Sequence, residues 1–344
     1  MIKTQIKKLL YRNRSKIHPN LKLDLKSNEN RDLNYNIKSF GELNKDKIFY
    51  VIQRFVGGGM FSNINYILHH LYICEKLECT PIIDFKNFPT KYNEPNIINK
   101  SYNMWDYYFE PINDYKLDDI YQSKFVIISS NKTNKIKEFD SFQNLSQKHH
   151  NLFLKYFKVN KDIMNEIETF KNKNFINKKV LGVHFRGTDM KIQERHPFPP
   201  TIQQMVGLID AEIKKNNYDL IYLVTEDSKY YEKLSKKYKE RLCSYNSYRT
   251  NKFDVFDNQK RQNHRFNIGK ENLIDMYLLS ETNGIVCSES HIPDAAKFIN
   301  FYKSDFKLYK INNGFNSDNI FLSRFLWYLK KILPENFGGF KINF

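Results

Sequence analysis

Three short apolar runs in this chain each end in groups able to hold an anion or move a proton. Val180-Leu181-Gly182-Val183 passes into His184-Phe185-Arg186-Gly187-Thr188-Asp189-Met190. Leu220-Ile221-Tyr222-Leu223-Val224 runs into Thr225-Glu226-Asp227, and Ile285-Val286-Cys287 into Ser288-Glu289-Ser290-His291. An arginine stays charged at physiological pH and can grip a phosphate through two parallel hydrogen bonds. Serine hydroxyls can bond further phosphate oxygens, and a nearby carboxylate can take a proton from an incoming hydroxyl.

Such groups need a frame. Apolar, β-branched runs without alternation read as strands buried in a parallel sheet. Helices over roughly 201–215, 228–240 and 271–282 separate the runs, and each passage is long enough for a crossover. Ligands of open α/β sheets bind beyond the carboxyl ends of the strands, where these polar clusters lie. Three such ends on one edge make a nucleotide-sized crevice.

The residues His184-Phe185-Arg186-Gly187-Thr188-Asp189-Met190 resemble the His-x-Arg-Arg-Thr-Asp-Lys signature of the GDP-fucose-dependent fucosyltransferases, the group of the alpha-1,6-, nodulation and protein O-fucosyltransferases. The resemblance continues through Glu194 and Tyr222-Leu223-Val224-Thr225-Glu226-Asp227. It extends to Leu273-Ile274-Asp275-Met276 and Val286-Cys287-Ser288-Glu289-Ser290. It covers 176–305 well and 50–90 loosely. It implies a fold of two Rossmann-like domains facing across a cleft, the GT-B architecture of glycosyltransferases, and a donor substrate, GDP-fucose, with no cofactor. It also implies roles. Arg186 would hold the β-phosphate, with Ser288 and Ser290 on phosphate oxygens. His184 and Asp275 would lie on the guanine side, Asp227 would order the pocket, and Glu194 would deprotonate the acceptor hydroxyl. Three positions depart from the signature: Gly187 replaces its second Arg, Met190 its Lys, and His291 the residue after its second motif Ser. Lys191 and Arg195 are the nearby cations that could restore the charge.

The chemistry can be stated from the residues themselves. A sugar leaving a nucleoside diphosphate leaves negative charge on the phosphates, and one well-placed donor there is worth roughly 3–4 kcal/mol. Arg186 with Ser288 and Ser290 suits that task. Glu194 or Asp189 suits proton removal, although Asp189 also suits an ion pair with Arg186. No Asp-x-Asp triplet follows a strand, and His69-His70, His149-His150, His184, His196, His264 and His291 lack ligand spacing, so no metal site is expected. His149-His150 reads as a surface pair.

In the first half, Ile48–Ile52 reads as a strand, followed by Gly57-Gly58-Gly59, Asn63 and a helix. A strand, glycine turn and helix start can cradle an anion on free amides, so Gly58, Gly59 and Asn63 join the candidate donor site. The turn is not a P-loop, because no Gly-Lys-Ser/Thr follows. Pro81–Phe85 is the next strand. Tyr102–Phe109, densely aromatic, suits either an acceptor shelf or core. The stretch 113–150 is polar and reads as loop-rich.

At 344 residues the chain suits two α/β domains. The expected parts are a basic extension (1–45), an acceptor-side α/β domain (46–175), a nucleotide-sugar domain (176–310) and an amphipathic basic tail (311–344). The formal net charge of +17 favours anionic partners. Nucleic-acid modules carry other signatures, and none is present. Lys3, Lys7, Lys8, Arg12, Arg14 and Lys16 crowd one end. Near the other, Phe321, Leu322, Phe325, Leu326, Leu329, Ile332 and Leu333 share a helical face flanked by Arg324, Lys330 and Lys331, with Trp327 and Tyr328. That composition suits a helix lying in an anionic membrane surface, or one docked on the core. No apolar run approaches the roughly 18 residues of a spanning helix, and Cys74, Cys79, Cys243 and Cys287 form no disulfide pattern. The expectation is a cytoplasmic enzyme, peripheral at the membrane face, acting on a glycan or lipid-linked oligosaccharide.

Overall fold

The computed structural model describes residues 37–129, 142–252, 255–256 and 261–341. The basic cluster at 3–16 lies outside these residues. The chain divides into two compact units. One holds the described residues up to Ile163 with Asn263–Lys270; the other holds Met164–Gln262 and the chain from Glu271. The division falls ahead of residue 175 and returns one helical segment to the first unit.

The first unit contains β1 (Ile37–Lys38), β2 (Leu43–Ile52), α1 (Met60–Lys76), β3 (Thr80–Ile83), α2 (Met104–Tyr108), α3 (Leu117–Ile120), β4 (Ser123–Ile128) and α4 (Gln147–Tyr156). The helix α5 (Lys161–Asn174) begins at its end. Its sheet has the order β1-β4-β2-β3, with β2 parallel to both β3 and β4 and β1 antiparallel at the edge. Phe49, Val51, Ile82, Ile120, Tyr121 and Val126 fill its core.

The polar stretch 113–150 is more ordered than expected. It supplies β4, which lies between β1 and β2, and the start of α4. His149 and His150 are buried rather than at the surface. His149 stacks on Tyr72 at 4.7 Å, and its Nδ1 lies 2.9 Å from the Ser146 hydroxyl. The aromatic run 102–109 resolves as core: Trp105, Tyr107, Tyr108 and Phe109 are buried, with Trp105 stacked on Phe109 at 4.5 Å.

The second unit contains β5 (Val180–His184), α6 (Ile202–Asn216), β6 (Leu220–Val224), α7 (Ser228–Tyr238), β7 (Leu242–Cys243), α8 (His264–Ser280), β8 (Ile285–Ser288), α9 (His291–Ile299), β9 (Leu308–Ile311) and α10 (Ser323–Ile332). The first residues of α8, through Lys270, group with the first unit. The five strands pair parallel throughout, in the order β7-β6-β5-β8-β9. The chain adds strands outward from β5 in one direction, then returns to its other side. The topological switch therefore lies between β5 and β8. Both are buried along their whole length, as their unbroken apolar runs require. A capping box opens α6: Thr201 Oγ1 accepts from Gln204 N at 3.2 Å, and Gln204 Oε1 accepts from Thr201 N at 2.9 Å.

Candidate functional site

The switch between β5 and β8 brings together the residues that strand reading alone could only place in sequence. Pairing aligns His184 with Cys287, one residue before Ser288, so the two motif-bearing strands end side by side. In doubly wound sheets this is where a crevice opens for a nucleotide. Ser288 is buried at the end of β8, and Ser290 occupies the N-cap of α9 without a side-chain capping bond. The dipole of a helix favours an anion at its N-terminal end. Beside it, Lys310 binds Asp294 at 2.8 Å and Glu289 at 3.4 Å, which balances the two carboxylates nearest the serines.

His184 is buried, and its Nδ1 has no protein partner among the described residues. Burial, then the neighbouring Arg186, pushes its pKa down to about 3, so the ring is neutral and can donate or accept toward a base. Asp275 on α8 is also buried. Its Oδ1 accepts from Tyr222 Oη at 2.6 Å and its Oδ2 from Ser247 Oγ at 2.8 Å, which leaves each oxygen a second lone pair. Burial raises its pKa to about 6.

These two shifts act on stability in opposite directions. His184 titrates lower when folded than when unfolded, so below its ordinary value of 6.5 the unfolded chain binds the extra proton and stability falls with falling pH. Asp275 titrates higher when folded, so between its ordinary 3.8 and about 6 it favours the fold as pH falls. Urea unfolding of His184→Gln between pH 4 and 7 should show a shallower acid loss than wild type, and Asp275→Asn a steeper one. Parallel pH curves for all three proteins would contradict this assignment.

The loop after β5 is held from β6. Glu226 is half-buried, and its Oε1 accepts from Gly187 N at 2.9 Å and from Thr188 Oγ1 at 3.0 Å. Withdrawal from water raises its pKa, against the pull of Arg186. Sequence reading did not single out Glu226, yet it fixes the backbone on which Arg186 and Asp189 stand. Asp227 caps α7: its Oδ1 accepts from Lys229 N at 3.0 Å and Tyr230 N at 3.2 Å. Its Oδ2 meets Lys191 Nζ at 3.2 Å. Arg186 pairs with Asp189 at 3.4 Å with both side chains partly exposed, so Asp189 makes the ion pair that was one of its two readings.

Of the two substitute cations, Lys191 turns inward over the Tyr230 ring at 4.5 Å, while Arg195 is exposed and pairs with Asp318 at 3.2 Å. Glu194 lies in the turn between them, half-buried. A hollow of about 530 Å³ borders this loop, lined by Thr188, Lys191 and Asp227, by α7 and by α10. Its lining does not include Arg186, Ser288 or Ser290, so it is not the place where the ends of β5 and β8 meet.

In the first unit, Gly57-Gly58-Gly59 precedes α1 as expected. Gly57 has φ +58°, and a side chain there would meet Asn63 Oδ1 at 2.5 Å. Asn63 closes the turn, its Oδ1 accepting from Gly58 N at 2.9 Å. Tyr92 Oη accepts from Met60 N at 2.8 Å. Two amides of the turn are thus already bonded. Arg54, which sequence reading passed over, lies beside the turn: it donates to the Ser62 carbonyl at 3.2 Å and hydroxyl at 3.1 Å, and its guanidinium lies 4.5 Å from the Tyr66 ring centroid.

Among the described residues, no group of three or more His, Cys, Asp or Glu side chains is arranged to hold a metal ion. No helix among them is long and apolar enough to cross a membrane.

No protein-family model matches the chain, and no curated protein matches it. Among solved structures, the chain is similar to fucosyltransferase NodZ from Bradyrhizobium, with a TM-score of 0.47 and 15% identity over 74% of this chain and 92% of that one. It is similar to a mutant of Arabidopsis thaliana FUT1 in complex with GDP, with a TM-score of 0.45 and 12% identity over 76% of this chain and 70% of that one. It is also similar to POFUT1 in its apo form, with a TM-score of 0.44 and 10% identity over 78% of this chain and 99% of that one.

Proposed function

We propose that the chain is a glycosyltransferase that moves fucose from GDP-fucose to a hydroxyl of a glycan acceptor, with inversion and without a metal. One observation carries the reading: in a parallel sheet with a single switch point, the strands either side of the switch end in His184–Arg186 and Ser288–Ser290. A diphosphate placed there meets a guanidinium, two hydroxyls and a helix N-terminus, which together replace the countercharge a metal would supply. The choice of fucose rests on the motif resemblance.

In this reading the acceptor oxygen attacks the anomeric carbon from the face opposite the diphosphate. The bond from that carbon to the β-phosphate oxygen breaks, and its electron pair stays on GDP. The acceptor's proton passes to Glu194. Arg186, Ser288 and Ser290 stabilise the charge on the departing phosphate. Neutral His184 and Asp275 bond the guanine edge. Gly58, Gly59 and Asn63 of the first unit complete the donor-binding set. A non-catalytic nucleotide-binding protein is the second reading, favoured by Gly187 and Met190.

A thermal-shift panel of GDP, UDP, CMP and ADP, with and without Mg²⁺, tests the donor. A ligand at 100-fold its Kd stabilises a fold by about 2.7 kcal/mol, enough to raise the melting temperature visibly. GDP alone should give the shift, unchanged by Mg²⁺. Incubation with GDP-fucose and mixed glycan acceptors should then release GDP. A GDP shift with no release on any acceptor favours the non-catalytic reading, and no shift with any nucleotide removes the donor site.

A further inference from the structure

The helix α10 has two faces of different character. Ser323 and Trp327 are buried; the Trp327 indole donates to the Pro199 carbonyl at 2.7 Å, and its ring clusters with Phe198 and Phe340. That face docks the helix on its own unit. The opposite face carries Phe325, Tyr328, Leu329 and Ile332, and Phe321 in the turn before the helix continues the same stripe by its spacing. All five are exposed, Phe325 at 68% and Ile332 at 77%. Each is a large apolar or aromatic side chain, and a continuous exposed stripe of this kind marks an interaction surface.

The hollow beside the site runs to the edge of this helix. Lys229 and Lys233 reach it from one face of α7, Lys331 from α10 and Lys191 from the loop. Four ammonium groups face one lining carboxylate, Asp227, among the described residues, and Asp227 is already paired with Lys191. The apolar stripe and the basic hollow share α10: Tyr328 belongs to both, and Lys331 lies one residue from Ile332.

We propose that α10 seats the protein on an anionic membrane surface. The stripe from Phe321 to Ile332 enters the boundary between headgroups and acyl chains. The lysine hollow receives a lipid phosphate headgroup. A short amphipathic helix binds weakly through its apolar area alone, and basic groups add attraction for anionic lipid. Both requirements are met on one surface here, and neither depends on the transferase reading.

The test is co-sedimentation of the full chain with vesicles of phosphatidylcholine alone, or of equal parts phosphatidylcholine and phosphatidylglycerol. Binding is expected to the mixed vesicles and to weaken as salt is raised. Each lysine near such a surface contributes roughly fivefold in affinity, so Lys229→Ala with Lys233→Ala should lower partitioning roughly 25-fold. Phe325→Ser with Ile332→Ser should abolish it. The four side chains are exposed, so unchanged melting temperatures show that the variants are folded. Equal binding to both vesicle types overturns the proposal, as does wild-type binding by either double variant. Binding of glycerol 1-phosphate by a protein that ignores vesicles would assign the hollow to a soluble phosphate ester instead, and also overturns it.

Discussion

Arg186→Ala should lower the rate of fucosyl transfer by about 10²–10³-fold while leaving the melting temperature nearly unchanged. The two halves of that expectation have separate grounds. In the folded protein Arg186 makes a loose ion pair with Asp189 at 3.4 Å, with both side chains about one-third exposed. Such pairs contribute about 0–1 kcal/mol to stability, so deleting the guanidinium should cost the fold little. In the proposed reaction the same group follows β5, whose end lies beside that of β8 leading to Ser288 and Ser290, and charge grows there on the departing phosphate. A fixed cation there stabilises the transition state more than the bound donor, so the loss should appear in kcat more than in KM. Arg186→Lys keeps the charge but loses the two-pronged geometry and should fall between the two proteins. Steady-state kinetics with GDP-fucose, beside GDP affinity measured calorimetrically, separates the terms. Full transfer by Arg186→Ala would remove Arg186 from the mechanism, and an equal loss of melting temperature and rate would make its role structural.

Much of the second unit was legible because its strands are buried on both faces. Leu220–Val224 occurs at the residues its apolar run predicts, while Val180–Val183 gains His184 and Ile285–Cys287 gains Ser288. The strand order was not legible. The same three runs in another order would separate His184 from Ser288, and only the pairing of β5 with β8 joins them. Glu226 was missed for a related reason. Of the three polar residues in Thr225-Glu226-Asp227, sequence cannot tell which one turns toward the neighbouring strand end, and it is Glu226 that bonds Gly187 and Thr188. The choice between Lys191 and Arg195 depended on the path of a turn in which Arg195 adopts φ +60°. In the first unit, the burial of His149 and His150 had a signal: with Leu152 and Phe153 they form one helical face of α4. The intervening Asn151 and the preceding Lys148 masked that spacing, and the polar flanks of Ser123–Ile128 hid a strand interior to its sheet.

Gly187→Arg, which restores the second arginine of the resembling signature, should destabilise the protein and reduce transfer rather than improve either. A Cβ at residue 187 would stand 2.6 Å from Tyr230 Cε2 and 2.7 Å from Asp227 Oδ2. Neither neighbour is free to move. The Tyr230 ring stacks on Phe185 at 3.9 Å and 13° within the core of the unit. The Asp227 carboxylate is held by two amides of α7 and by Lys191. Forcing atoms into such a site costs about 1–3 kcal/mol for a methyl-sized intrusion and more for a longer side chain. Gly187→Ala should therefore already lower the urea midpoint, with Gly187→Arg lowering it further. Movement of Asp227 would also release Lys191 and the start of α7, so transfer falls with stability. Where the resembling signature has an arginine, this chain has a glycine closely packed by Tyr230 and Asp227, with the Lys191 ammonium on Asp227. Tyr230→Ala opens the space a longer residue needs. If the clash is the cause, the combined variant Gly187→Arg, Tyr230→Ala should be more stable than the sum of its single changes by about 0.5–3 kcal/mol, the range found for residues in contact. Strict additivity, or a Gly187→Arg protein that unfolds like wild type and transfers faster, would show that the loop relaxes freely and that Gly187 is not held by its neighbours.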